Sequence, residues 1–229
     1  MKKNIIAIDG YASTGKSSLA KQLSIHLNYI YVNSGSMYRA ITLYAINKKL
    51  TPLNEKNIID LINALHNIKL DYIINKSSKN SDIYLNGLNV EKQINSLEVS
   101  DFVSLVAEIP QIRRFVVKIQ KSFKSKKGLV MDGRDIGSIV FPDADLKLFL
   151  TASDKVRAKR RYDELNKEGY DVDYDDILHN IITRDKKDSE RKDSPLIIAE
   201  DAIVIDNSDL TIEEQVDTVL KIIESNVSF

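Results

Sequence analysis

Residues 10–17 read GYASTGKS and match G-x-x-x-x-G-K-[ST], the pattern of a phosphate-binding loop, or P-loop. Glycines let such a loop turn tightly around an anion, and its N–H groups and the following helix end point inward. Lys16 then reaches the terminal phosphates, and the Ser17 hydroxyl can ligate Mg²⁺. An ordinary strand-to-helix turn is the alternative. The residues predicted to hold nucleotide phosphates are Gly10, Tyr11, Ala12, Ser13, Thr14, Gly15, Lys16, Ser17 and Ser18.

The segments around the loop predict an α/β fold. The apolar run at residues 5–8 is typical of a strand buried on both faces of a parallel sheet. Leucines recur every four residues after the loop and predict a helix from about residue 16 to residue 28. Further strands are predicted at residues 29–32, 129–131, 146–150 and 202–205. Because strands alternate with helical patterns, we expect a three-layer α/β/α fold around a central five-stranded parallel sheet.

Residues 70–90 break this alternation. Two strand-like runs, residues 71–74 and 83–85, flank a polar stretch, and the Asn86-Gly87 pair that follows is a strong hairpin signal. This pattern predicts a small antiparallel insert.

Start and stop signals predict the remaining helices. Residues 97–123 have a helical pattern that must break at Pro110, because proline can begin a helix but cannot lie inside one. Three more helices are predicted. The first begins at the Ser153 cap and ends at about residue 167, with Gly169 as the stop signal. The second covers about residues 174–190, and the third begins at a capping box of Thr211 and Glu214.

The segment NSGSMYR, residues 33–39, follows the second predicted strand. It brings the hydroxyl of Ser34, the phenol of Tyr38 and the guanidinium of Arg39 to a loop-helix junction, where they suit an incoming phosphate. A capped helix start with a surface arginine is the alternative.

The segment DGRD, residues 132–135, ends another apolar strand. A strand-terminal carboxylate such as Asp132 faces Mg²⁺ and its waters in P-loop proteins, and Arg134 would balance phosphate charge. Asp135 could accept hydrogen bonds from the amine of a base. The alternative is a plain turn network of two acids and one arginine.

Two arginine-bearing segments follow. Spacings of four and seven residues put Arg184, Asp188 and Arg191 on one helix face if the helix extends that far. These side chains could bind ribose hydroxyls and phosphate together. The alternative is a stripe of ion pairs on the protein surface. A second basic face consists of Arg157, Arg160 and Arg161. Spacing alone favours equally a solvated face and a lid that clamps phosphate.

The composition limits the partners and the location. Lys and Arg total 33, as do Asp and Glu, so a net charge of zero offers no global attraction to nucleic acid or to an anionic membrane. Cysteine is absent, which excludes disulfides and thiolate metal sites. The apolar run at residues 5–8 is too short for a signal peptide core or a membrane span. We therefore expect a cytoplasmic protein, a monomer, with neither nucleic acid nor membrane as a partner.

Together these segments resemble the bacterial cytidylate kinases (CMP/dCMP kinases), of the P-loop nucleoside monophosphate kinases. The resemblance runs over nearly the whole chain, through IAIDGYASTGKSS, NSGSMYRAIT, MDGRDIGSIVFPDADLKLFLTAS, RAKRRYDEL and RDKKDSERKDSPLIIAEDAIVIDNSDLTIEE. It implies transfer of the γ-phosphate of ATP to CMP or dCMP, with Mg²⁺ as cofactor.

The resemblance also implies roles for residues. Ser34, Tyr38 and Arg39 would lie in the monophosphate site, where the acceptor phosphate would be held by Arg39, Arg134 and Arg191. Ser104, Arg113 and Asp135 would recognise cytosine, and Arg184 and Asp188 would hold the ribose. The residues expected to act in catalysis are Lys16, Asp132, Arg134, Arg157 and Arg161, with Mg²⁺ on Ser17 and, through water, on Asp132.

A single kinase domain over residues 1–229 is implied, in three parts. These are a core (about 1–38, 96–152 and 192–229), an insert that binds the nucleoside monophosphate, NMP (about 39–95), and a helical lid (about 153–191). Two residues depart from the family pattern: Asn33 stands where Asp is common, and Tyr11 replaces a usual Pro. The competing functions are a P-loop kinase for UMP, AMP or an alcohol, and a nucleotide-dependent switch or binding module.

Overall fold

A computed structural model describes residues 4–74, 81–125 and 128–225. The polar stretch of the predicted insert, at residues 75–80, lies outside them. The strands in the described part are β1 (Ile5–Gly10), β2 (Ile30–Asn33), β3 (Leu70–Ile74), β4 (Ser81–Leu85), β5 (Leu88–Asn89), β6 (Leu129–Asp132), β7 (Leu146–Thr151) and β8 (Ile203–Asp206). The α-helices are α1 (Lys16–Leu27), α2 (Ser34–Asn47), α3 (Glu55–Ala64), α4 (Leu97–Glu108), α5 (Pro110–Ser122), α6 (Asp154–Lys167), α7 (Tyr174–Glu190) and α8 (Ile212–Ser225).

The central sheet has five parallel strands in the order β2-β6-β1-β7-β8. Every residue of β1 is buried, as expected of a strand covered on both faces. Its neighbours in register are β6, with Ile8 opposite Asp132, and β7, with Asp9 opposite Phe149. The predicted fold class and the predicted strands are thus confirmed, and the carboxyl ends of β1 and β6 lie side by side.

The chain divides into two compact units. The first contains the described residues of 1–29 and 127–229, and the second contains those of 30–126. The second unit holds a three-stranded antiparallel sheet in the order β3-β4-β5. Asn86 and Gly87 connect β4 to β5 with φ of 50° and 83°, the left-handed geometry of a tight hairpin turn. The predicted insert is confirmed over its described residues.

Local capping signals determine where several helices begin. The Ser153 hydroxyl accepts a hydrogen bond from the Val156 N–H (3.4 Å), which starts α6. Thr211 and Glu214 form the predicted capping box: the Thr211 hydroxyl accepts from the Glu214 N–H (3.2 Å), and the Glu214 carboxylate accepts from the Thr211 N–H (2.8 Å). As predicted, Pro110 opens α5 directly after α4 ends.

Helices α6 and α7 pack on each other around a small apolar cluster of their own. The cluster consists of Ala158, Leu165, Ile177 and Ile181, with tyrosines packed around it. These two helices form most of the segment predicted as a lid. Among the helices of the described residues, none is both long and apolar enough to cross a membrane.

Candidate active site

The P-loop joins β1 to α1 at the carboxyl end of β1, where open parallel sheets bind ligands. Gly10 begins the turn at a φ of 147°, and a Cβ there would lie 2.1 Å from the Leu150 carbonyl oxygen. Only glycine therefore allows β7 to approach this closely. Gly15, with a φ of 82°, ends the turn and starts α1.

Lys16 points its ammonium back into the loop. The residue is 6% exposed, and Nζ donates to the Tyr11 carbonyl oxygen and to the Thr14 hydroxyl. Burial lowers the pKa of this ammonium well below its usual range, and the positive charge of Arg134 acts in the same direction. Both hydrogen-bond partners are neutral, so the oxygens of a phosphate would be stronger acceptors in their place.

Ser17 and Asp132 meet at the first turn of α1. The Ser17 hydroxyl donates to Asp132 Oδ2 at 2.8 Å, and Asp132 is buried at the end of β6. The two side chains expected to lie near Mg²⁺ are thus within hydrogen-bond distance of each other. A hydroxyl and a carboxylate are hard oxygen ligands that suit Mg²⁺. Within the described residues, no group of three or more His, Asp or Glu side chains could hold a metal by itself.

Asp9 is a buried acid of this site that sequence reasoning missed. Its two carboxylate oxygens accept from the N–H groups of Ile136 (2.8 Å) and Gly137 (2.7 Å), just after Arg134 and Asp135. Burial raises the pKa of the Asp9 carboxyl to about 7, against the effect of these two hydrogen bonds. The available signal was an acidic residue in an otherwise apolar strand.

Arg134, Asp188 and Arg191 come together in the first unit. Asp188 accepts from Arg134 Nε at 3.0 Å on one oxygen and from Arg191 Nη1 at 2.9 Å on the other. Burial would raise the pKa of Asp188, but the guanidinium charges of Arg134, Arg184 and Arg191 outweigh it and lower that pKa. The single helix face predicted for this group is only partly correct, because α7 ends at Glu190 and Arg191 has extended backbone.

The predicted basic face of α6 separates into three different environments. Arg157 is buried, so the solvated-face interpretation is wrong for it; Nε donates to the Ala152 carbonyl oxygen at 3.0 Å. Arg160 donates to the side chain (3.0 Å) and the carbonyl oxygen (2.7 Å) of Asn207. Arg161 pairs with Glu164 near the surface, at 2.6 Å.

Predicted acceptor-site residues of the second unit form two groups of contacts. Arg39, on α2, donates from Nη1 to the Ile94 carbonyl oxygen (3.2 Å) and to the Ser100 hydroxyl (3.0 Å). The buried Arg113 guanidinium lies over the Tyr38 ring at 5.4 Å, and its Nη1 donates to the Ala107 carbonyl oxygen at 3.0 Å. Ser34 is buried at the start of α2, and Ser104 is half-buried on α4.

Asn33 acts as the cap of α2. Its Oδ1 accepts from the Ser36 N–H at 3.1 Å, and its carbonyl oxygen accepts from the Tyr72 hydroxyl at 2.7 Å. Asparagine and aspartate cap helices about equally well, so capping survives the departure from the family pattern.

The Asn33 cap gives a direct stability prediction. We expect Asn33→Ala to lower the free energy of unfolding by about 1 kcal/mol, because the Ser36 N–H loses its acceptor. We expect Asn33→Asp to change it by less than about 0.5 kcal/mol, since the acceptor stays in place. Urea denaturation of both variants measures this. Equal destabilisation by the two substitutions would contradict a capping role.

This fold and loop define a P-loop nucleotide-binding protein of the kinase type: a five-stranded parallel sheet with Lys16, Ser17 and Asp132 at the carboxyl ends of its strands. The sequence model of one family, described as cytidylate kinase, matches residues 6–225. The chain belongs to the cytidylate kinase family.

Individual proteins agree with this assignment. The chain is 51% identical to a cytidylate kinase of Flavobacterium johnsoniae over 99% of each chain. It is also 51% identical to a cytidylate kinase of Flavobacterium psychrophilum, over 98% of this chain and 100% of that protein. An uncharacterised protein from Eubacterium ventriosum, of known crystal structure, shares the fold at a TM-score of 0.51 and 15% identity, over 98% of this chain and 100% of its own.

Proposed function

We propose that this protein transfers the γ-phosphate of ATP to CMP, giving CDP and ADP. The observation that carries the proposal is the 51% identity to a cytidylate kinase over 99% of the chain. The P-loop supports it, because Lys16 points back into the loop and the Ser17 hydroxyl donates to Asp132. The finer parts of the proposal are dCMP as a second acceptor, Mg²⁺ as the cofactor, a cytoplasmic location, a monomeric state, no nucleic acid or membrane partner, and the division into core, insert and lid.

On the donor side, the loop amides and Lys16 hold the ATP phosphates. Lys16 exchanges the Tyr11 carbonyl and the Thr14 hydroxyl for phosphate oxygens, which accept a stronger, charge-assisted hydrogen bond. Ser17 and Asp132 would hold Mg²⁺, Asp132 through water. That ion would neutralise charge that develops on the phosphates.

On the acceptor side, Arg39, Arg134 and Arg191 balance the charge of the CMP phosphate. Asp188 accepts hydrogen bonds from Arg134 and Arg191 and so fixes the positions of the two guanidiniums relative to each other. For the ribose hydroxyls, Asp188 would be the acceptor and Arg184 the donor. Ser34 and Tyr38 line the start of α2. For cytosine, Ser104, Arg113 and Asp135 are the proposed contacts.

The transfer itself requires alignment and charge compensation more than a dedicated base. An oxygen of the CMP phosphate attacks the γ-phosphorus, the bond from that phosphorus to the β–γ bridging oxygen breaks, and ADP leaves with the electron pair. Lys16, Arg134, Arg157 and Arg161 offset the developing negative charge. Closure of the segment at about residues 153–191 would exclude water and so prevent hydrolysis of ATP.

Asp135 provides the test of base recognition. The exocyclic amine of cytosine is a donor where uracil has an acceptor, so a buried carboxylate favours CMP and repels UMP. We expect Asp135→Ala to lower the CMP:UMP ratio of kcat/KM by roughly tenfold or more while the KM for ATP changes little. Asp135→Asn, which adds a donor, should shift the ratio further towards UMP. An unchanged ratio in both variants would remove Asp135 from the base site.

The function as a whole is tested by coupled ADP release with Mg²⁺-ATP and, separately, CMP, dCMP, UMP, AMP and GMP. Strong turnover of CMP and dCMP with weak UMP turnover is expected. Turnover of another acceptor instead would keep the kinase class and reject the cytosine assignment. Slow ATP hydrolysis unaffected by every monophosphate would favour a switch or binding module.

A further inference from the structure

Both polar groups of the Ala12 peptide are held by one ion pair. Asp185, on α7, accepts a hydrogen bond from the Ala12 N–H through Oδ1 at 3.3 Å. Arg157, on α6, donates from Nη1 to the Ala12 carbonyl oxygen at 3.1 Å. The same Nη1 also donates to Asp185 Oδ2, so the three residues form a closed ring of hydrogen bonds. Two different helices thus determine the orientation of one residue inside the P-loop.

The ring of hydrogen bonds is buried, so the charge of the Arg157 guanidinium needs the Asp185 carboxylate to compensate it. Arg157 is 2% exposed and the Asp185 side chain is 12% exposed. The other carboxylate on Arg157, that of Asp154, is 55% exposed and is therefore well solvated. Asp185 is accordingly the partner that compensates the buried guanidinium charge on the side facing the loop.

The Arg157 guanidinium also contacts an aromatic side chain of the P-loop. The Arg157 guanidinium carbon lies 5.3 Å from the centre of the Tyr11 ring, within the range of a cation–π contact. The Tyr11 ring in turn packs edge-on against Phe149 at 5.6 Å. Tyr11, one of the two departures from the family pattern, thus helps to hold Arg157 in its hydrogen bonds to Ala12 and Asp185.

A second connection ties α6 to the far side of the loop. Arg160 bonds Asn207, and the Asn207 amide donates to the Thr14 carbonyl oxygen at 2.7 Å. The loop backbone is therefore supported at Ala12 and again at Thr14, each time through an arginine of α6. Residues 13–18, which belong to the stretch 10–18 proposed to hold the ATP phosphates, begin directly after the first of these supports.

We propose that Asp185 is a positioning residue of the donor site: with Arg157 it holds the Ala12 peptide, and so sets the conformation in which the P-loop receives the ATP phosphates. The proposal deepens the proposed function, on which it rests for the identity of the donor. Asp185 acts through Arg157 and Ala12, and it need not contact ATP itself. Its removal should therefore weaken the use of ATP and leave the acceptor site unaffected.

The test compares Asp185→Asn and Asp185→Ala with wild-type enzyme. The matched control is Asp163→Asn, which removes an α6 carboxylate that pairs with Lys159 at 2.7 Å on the surface. ATP affinity is measured without CMP, by displacement of a fluorescent ATP analogue, and the KM values for ATP and CMP are measured separately. Because the displacement assay needs no acceptor, its result stands even if the acceptor is not CMP.

We expect Asp185→Ala to weaken ATP binding by about tenfold or more and the KM for CMP to change less than about twofold. Asp185→Asn keeps an oxygen for the Ala12 N–H but loses the charge facing Arg157, so it should fall between Asp185→Ala and wild type. The control should match wild type. If Asp185→Ala fails to fold, Asp185→Asn alone decides. Unchanged ATP affinity, tighter ATP binding, or an equal rise of both KM values would overturn the proposal.

Discussion

Replacement of Lys16 by methionine is expected to lower kcat by roughly 10²- to 10³-fold, the usual effect of removing one preorganised donor from a transition state. The ammonium is buried in the loop, and its hydrogen bonds to Tyr11 and Thr14 go to neutral oxygens, which phosphate oxygens can replace as stronger acceptors. Methionine fills a similar volume without the charge, which separates the loss of charge from the loss of packing. ADP release at saturating ATP and CMP gives kcat.

Lys21→Met is the matched control for Lys16→Met. Lys21 lies on the same helix but is exposed, and its replacement should leave kcat within about twofold of wild type. If kcat of Lys16→Met stayed within tenfold of wild type, charge compensation by Lys16 would not be a main source of the rate. An equal loss in both variants would point to damage of α1.

Replacement of Asp188 by asparagine is expected to have the largest effect on the acceptor side. It leaves Arg134 and Arg191, whose side chains are 20% and 8% exposed, without the carboxylate that pairs with both. Removal of one partner from a largely buried ion pair costs about 3 kcal/mol of unfolding free energy. The KM for CMP should also rise, because the two guanidiniums lose their fixed relation. Urea denaturation and acceptor titration measure the two effects.

The stability part of this prediction depends on pH in a defined direction. Because the folded-state pKa of Asp188 is lowered below 3.8, its contribution is fully present above that value and disappears as the pH falls through the folded-state pKa. The difference in unfolding free energy between wild type and Asp188→Asn should therefore be large at pH 7 and should shrink on acidification below about pH 4. A difference independent of pH would show that the charge of Asp188 is not what stabilises the fold.

Glu164→Gln serves as the control for Asp188→Asn. Glu164 pairs with Arg161, but its side chain is 56% exposed, so the change should cost less than about 1 kcal/mol at either pH. If the two substitutions cost the same, burial would not be the factor that distinguishes the two ion pairs.

Features decided within a few residues could be predicted from the sequence. The P-loop, the Asn86-Gly87 turn and the capping box of Thr211 and Glu214 each depend on backbone geometry and hydrogen bonds between near neighbours. The strands of the central sheet were predictable for a related reason. A short apolar run bounded by turn residues can bury both of its faces only inside such a sheet.

Features that join distant segments could not be predicted in the same way. Spacing indicated that Arg184, Asp188 and Arg191 share a helix face, but Arg191 lies beyond the end of α7 and its contact with Asp188 depends on the turn that follows. Spacing left Arg157 open between a solvated face and a phosphate-clamping lid. Its burial between the P-loop and α7 decides against the solvated face.

The sequence by itself therefore determined the fold class, the phosphate-binding loop and the family of this protein, because these depend on local periodicity, local geometry and long matching segments. Only the tertiary structure decided which groups each buried carboxylate meets: Asp9 with the amides after Asp135, Asp188 with Arg134, and Asp185 with Ala12. The physical reason is that a carboxylate takes its partners from the segments folded beside it. For Asp9 strand order brings those segments together, because β6 lies beside β1; Asp185 and Asp188 are carried to their partners by α7.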